Sequence, residues 1–168
     1  MVIYMLINII GFNASWFGLI LLGQIFIPFT LFWLGLHLHR SQFIAAEIKL
    51  IVSITLIGIV VDTSLKLAGV LIFPNVFLIP LWLITLWSAF AATVAHSLQF
   101  LGRSKVLQLI IGFIFPPLSY IGGASLSSVE FGYNLTITYI ILGSVWALLM
   151  VLFFVLKNVF YAKVNCHE

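Results

Sequence analysis

The chain predicts an all-α, polytopic integral membrane bundle of about six transmembrane helices joined by short loops. Three observations carry that prediction. Hydrophobic residues make up 64% of the 168 positions and charged residues only 7%, with a mean hydropathy of +1.29. Soluble domains carry roughly 25% charged residues, so this chain lacks the charge to coat a water-facing surface. The apolar residues fall in runs of membrane-spanning length, and the basic residues collect in alternate connections. At roughly 20 residues per span the helices consume most of the chain, so residues 1–168 read as a single domain.

The first helix covers about 3–22 and stops at Gly23-Gln24. Its apolar stretch has neither a basic leading region nor a small-residue cleavage site, which predicts a retained span rather than a signal peptide. The second covers about 25–38 and ends at His39-Arg40; being short, it predicts tilt or local thinning of the membrane. The third covers about 46–72 and is stopped by Phe73-Pro74-Asn75. Pro80 suits the first turn of a fourth helix over about 79–99, where its missing N–H has no partner to lose. The fifth, about 104–118, meets Pro116-Pro117, where two absent donors predict a break. Residues 119–128 are rich in Gly, Ala and Ser and form either a loop or a short irregular segment packed on protein. The sixth helix covers about 133–156.

Arg40, Lys49, Arg103, Lys105, Lys157 and Lys163 fall in or beside the second-to-third connection, the fourth-to-fifth connection and the tail. Six of the seven basic residues thus share one side, which the positive-inside rule assigns to the cytoplasm. Six spans then place both termini there. Lys66 is the exception. The net charge of +3 is scattered and implies no nucleic-acid partner, and Cys166, the only cysteine, allows no intrachain disulfide.

Asp62 is read as the only acidic residue inside a hydrophobic span, with Lys66 four residues later. A carboxylate at that depth costs roughly 2.5–3.5 kcal/mol on insertion scales and is kept only where something offsets it. Thr55, Gly58, Asp62, Lys66 and Gly69 recur at helical spacing and share one face. Either that face lines a cavity, with Asp62 pairing a ligand or responding to protons, or Asp62 and Lys66 satisfy each other while Lys66 snorkels outward. Tyr120 and Glu130 join Asp62 if residues 119–128 fold back. Trp87 is deep enough to wall a cavity, and His96 sits near the cytoplasmic end, where a structural role is the plainer reading. Small residues predict packing faces: Gly11, Ala14, Ser15 and Gly18 on the first helix, Gly58 on the third, Ser88 and Ala92 on the fourth.

His37 and His39 are two residues apart, which on a helix points them about 200° apart, so they form no metal pair with each other. The tail residues Cys166 and His167 add no recognisable ligand pattern. No metal site, cofactor or catalytic motif is expected.

The segments Asn8-Ile9-Ile10-Gly11-Phe12-Asn13, Asp62-Thr63-Ser64-Leu65, Pro80-Leu81-Trp82, His96-Ser97-Leu98 and Pro116-Pro117-Leu118-Ser119-Tyr120 follow one another through the chain. In this order they resemble an uncharacterised bacterial inner-membrane family known as domain of unknown function 2878. Genes of that family often lie near those of lipid-modifying enzymes, which implies an envelope lipid role by association. Three functions are open. The first is a non-enzymatic component that binds lipid or another lipophile, alone, as a homo-oligomer or with another membrane protein. The second is a small transporter or substrate-binding subunit using Asp62, Lys66 and Glu130. The third is an intramembrane enzyme, weakened because Asp62 and His96 fall toward opposite faces. The purified chain is expected to require detergent; a monodisperse preparation in plain buffer overturns the membrane reading.

Overall fold

A computed structural model of the protein describes residues 2–73 and 78–162. Pro74, Asn75, Lys163, Cys166 and His167 lie outside the described residues. Six α-helices follow in order: α1 (Val2–Leu22), α2 (Ile27–His39), α3 (Ile44–Leu67), α4 (Leu81–Val94), α5 (Lys105–Ser125) and α6 (Leu135–Ala162). A two-residue antiparallel ladder pairs β1 (Leu71–Ile72) with β2 (Glu130–Phe131). Four helical stretches are long and apolar enough to cross a membrane: Ile3–His39, Ile44–Leu67, Lys105–Ser125 and Leu135–Ala162. The outward surface is apolar as well, with Ile25 78% and Leu67 80% exposed. Isolated exposed aliphatics are ordinary on soluble proteins, but a continuous apolar exterior suits lipid.

The stretch Ile3–His39 folds back on itself. Gly23 adopts φ +58°, a left-handed conformation open to glycine, and a 3₁₀ turn over Gly23–Phe26 leads into α2. The two arms touch at small residues: a Cβ on Gly11 would stand 1.9 Å from Trp33 Nε1, and one on Gly18 2.2 Å from Phe26 Cδ1. Ser15 is buried on the same face, whereas Ala14, also expected to pack, is exposed. Asn8 anchors α1 to the end of α4. Its Nδ2 donates to Ala92 O at 2.9 Å, and its Oδ1 accepts from Ser97 Oγ at 2.6 Å. Ala92 O is one of the carbonyls a helix end leaves without an internal partner.

Four helix ends differ by five residues or more from those the sequence predicts; among them α4 stops at Val94 rather than near 99, and α6 runs on to Ala162 rather than 156. α3 ends at Leu67 rather than near 72, because Gly69 takes φ +71° and closes a Schellman motif. Val70 N donates to Leu65 O and Gly69 N to Lys66 O, both at 2.9 Å. α5, in contrast, does not break at Pro116-Pro117 but continues to Ser125. The prolines leave the Gly112 and Phe113 carbonyls without their helical donors, and α6 lies against the second of these. Phe113 O would stand 2.8 Å from a Cβ on Gly143, and Tyr139 OH donates to Ile114 O at 3.4 Å. α6 thus covers the freed Phe113 carbonyl and bonds its neighbour at Ile114.

The start of α3 meets the ends of α2, α4 and α6, so Arg40, Lys49, Arg103, Lys105 and Lys157 belong to one end of the bundle and Asp62, Lys66 and Glu130 to the other. α5 and α6 approach closely at glycine. A Cβ on Gly112 would meet Trp146 O at 2.6 Å and Ala147 Cα at 3.0 Å, both backbone atoms that cannot swing aside. Gly112→Ala is therefore expected to lower stability by about 1–3 kcal/mol. Gly35→Ala, where nothing lies within 4 Å, is expected to be neutral or stabilising by up to about 1 kcal/mol. Thermal unfolding of both variants in detergent checks the contrast.

Candidate functional site

Asp62 is fully buried where three helices converge. Trp87 Nε1 of α4 donates to its Oδ2 at 2.7 Å, and Tyr120 OH of α5 donates to its Oδ1 at 2.7 Å. The face of α3 that carries Asp62 explains how Trp87 reaches it. One turn earlier stands Gly58, where a Cβ would lie 2.1 Å from Trp87 Cδ2, so only glycine leaves room for the indole. Nearby on that face, Thr55 Oγ1 and Ser88 Oγ share a hydrogen bond of 3.0 Å. Among the described residues the carboxylate has no cationic partner. Two charge-assisted hydrogen bonds from neutral donors offset its burial instead.

Lys66 and Glu130 do not join this group. Lys66 Nζ donates to Leu78 O at 2.7 Å, a backbone carbonyl beyond the Schellman turn, rather than making the ion pair with Asp62 that is one of the two readings of that face. Glu130 is exposed in β2, opposite Ile72. Of the six polar candidates, the structure brings Asp62, Trp87 and Tyr120 together and leaves Lys66, Glu130 and His96 elsewhere.

Beside this group lies a cavity of about 450 Å³, walled by α1, α4, α5 and α6. Its lining is dominated by aromatic and aliphatic side chains, among them Phe12, Trp16, Phe90 and Phe115. Trp87 and Trp146 line it as a stacked pair, with centroids 4.7 Å apart and planes 3° from parallel. Tyr120 lines it too and carries its hydroxyl to Asp62. Among the described residues, Trp146 Nε1 and Thr63 Oγ1 are buried without a hydrogen-bond partner. Toward one end of the bundle α1 is tied to the segment after α5, where Ser128 Oγ donates to Ile20 O at 2.8 Å.

A second polar centre sits at the opposite end and escapes the sequence reading. Asp62 is not the only acidic residue inside a span: Glu47 lies in the first turn of α3 and is fully buried. His37 Nε2 meets its Oε1 and His96 Nε2 its Oε2, each at 3.0 Å, and Tyr161 OH donates to Oε2. The two imidazoles lie edge to face with centroids 4.6 Å apart. His39 is exposed, pointing away from His37 as their spacing requires. The available signal was Glu47 itself, an acidic residue three positions before Leu50 in a chain with only four. Its partners come from three other segments, so no local pattern connects them.

These elements define a helical protein of membrane type, with an aromatic cavity among its helices and two buried carboxylates toward its ends. Residues 5–152 match the model of a family described as Protein of unknown function (DUF2878), and the chain belongs to that family. No curated protein and no solved structure matches it.

Trp87→Phe and Tyr120→Phe each remove one donor from a buried carboxylate. Each is expected to lower stability by about 1.5–3 kcal/mol. Because both donors serve one group, the double variant is expected to depart from additivity by roughly 0.5–3 kcal/mol. Unfolding of the two single variants and the double variant in detergent measures this.

Proposed function

We propose that the protein binds a lipophilic molecule in the cavity between α1, α4, α5 and α6, as a non-enzymatic or accessory component of an envelope lipid process. The cavity is the observation that carries this reading. About 450 Å³ falls in the range of small-molecule sites, and its lining is apolar with few polar groups. Phe115 and Phe100 line it and are also 56% and 50% exposed, so the cavity wall continues into the lipid-facing surface. A membrane-dissolved molecule can then enter sideways without crossing water.

The setting that fits best is a bacterial inner membrane, crossed six times with both termini in the cytoplasm. α2 and α4, with 13 and 14 residues, take part as short spans. At 1.5 Å per residue each reaches about 20 Å, against a hydrocarbon core of roughly 30 Å, so local thinning or tilt accompanies them. Membrane lipids are the first candidates for the occupant. A transport role needs Asp62, Lys66 and Glu130 along one path; Glu130 is exposed in β2 and Lys66 bonds the Leu78 carbonyl, so that reading draws less support.

Native mass spectrometry of the chain in mild detergent is expected to retain one lipophilic molecule per chain. Filling the cavity with Leu86→Phe and Ser119→Phe is expected to lower that occupancy at least roughly tenfold while the fold persists, since an apolar cavity binds through its free volume. A wild-type chain that carries no lipophile, or a filled variant that carries as much, overturns the proposal.

A further inference from the structure

We infer that His37, Glu47 and His96 form a binding site for a divalent transition-metal ion, separate from the cavity. Their ligand atoms all lie within 4.8 Å of one another, and they arrive from three parts of the chain: α2, α3 and the turn after α4. Both histidines direct the same nitrogen, Nε2, at the two oxygens of one carboxylate, at 3.0 Å each. An ion with bonds near 2.0–2.2 Å holds neighbouring ligand atoms about 3.3 Å apart, so these groups need only small movements to surround one.

The electrostatics point the same way. Glu47 is 0% exposed, and among the described residues its partners are two imidazoles and a phenol, with no Lys or Arg. A divalent ion at the same place would supply the positive charge that a buried carboxylate needs to offset its desolvation. Two imidazoles and one carboxylate suit zinc, ferrous iron or manganese; calcium and magnesium favour oxygen ligands throughout. The His96 side chain is 33% exposed, giving an ion a route from the basic end of the bundle and leaving coordination positions for water. Tyr161 OH holds Oε2 from α6 and acts as a positioning residue for the ligand carboxylate.

The test is calorimetric titration of Zn²⁺ into the full-length chain, purified in detergent and stripped with a chelator. One ion per chain is expected. His37→Ala and His96→Ala are expected to abolish stoichiometric binding, and Tyr161→Phe to weaken it roughly 10–100-fold. A C166S/H167A variant is expected to bind as the wild type does. Absence of binding by the wild type, equal binding by both histidine variants, or loss of binding in C166S/H167A each overturns the site. Should the histidine variants fail to fold, the wild type still decides the matter. The Trp33 ring lies 5.9 Å from His37, so Co²⁺ is expected to quench a fluorescence component that Trp33→Phe removes and excess Zn²⁺ restores. No such component means no site.

Discussion

A carboxylate that cannot reach water must find donors within the protein, and Asp62 finds them on two other helices. Trp87 from α4 and Tyr120 from α5 each take one oxygen, which fixes three helices relative to one another at a single point. The consequences run outward from there. The indole that serves Asp62 must lie flat on α3, which requires Gly58 beneath it. The same indole stacks on Trp146 of α6, so the fourth helix is oriented by the third. The aromatic wall of the cavity is thus held in place by a polar contact at its back. Lipid supplies no hydrophobic drive between helices, so such contacts and close packing must do the organising.

Close packing does the rest at glycine. α5 and α6 meet where Gly112 sits on the Trp146 carbonyl and Gly143 on the Phe113 carbonyl. That approach also shields from lipid the Phe113 carbonyl, one of the two that the α5 prolines leave without a helical donor. Small residues and prolines therefore form one arrangement. The α5 segment beyond the prolines stays helical and carries Tyr120 to Asp62.

The class of fold was legible in the sequence because lipid imposes it locally: long apolar runs have few alternatives to helices. Gly58, Ser15 and Ser88 were legible as packing positions for the same reason, since helical spacing places them on a face. What was not legible depended on partners distant in sequence. A break at Pro116-Pro117 follows from local stereochemistry, and only the apposition of α6 removes it. An Asp62–Lys66 pair follows from i,i+4 spacing, yet each side chain bonds elsewhere across the bundle. Trp87 and Tyr120 were visible as candidates without any sign that they share one carboxylate. Glu47 was hidden more deeply, for its partners lie 10, 49 and 114 residues away.

α3 carries both polar centres, Asp62 standing fifteen positions after Glu47, or about 22 Å along its axis. That separation makes one reaction shared between them untenable, yet they are not structurally independent. Ser97 lines the cavity and donates to Asn8 of α1, while its neighbour His96 contacts Glu47. The turn over residues 95–98 thus faces the cavity on one side and the Glu47 cluster on the other. Anything that fills the cavity meets the same short segment that positions His96. The cavity and the Glu47 cluster therefore share one turn, held at its base by the Asn8 side chain.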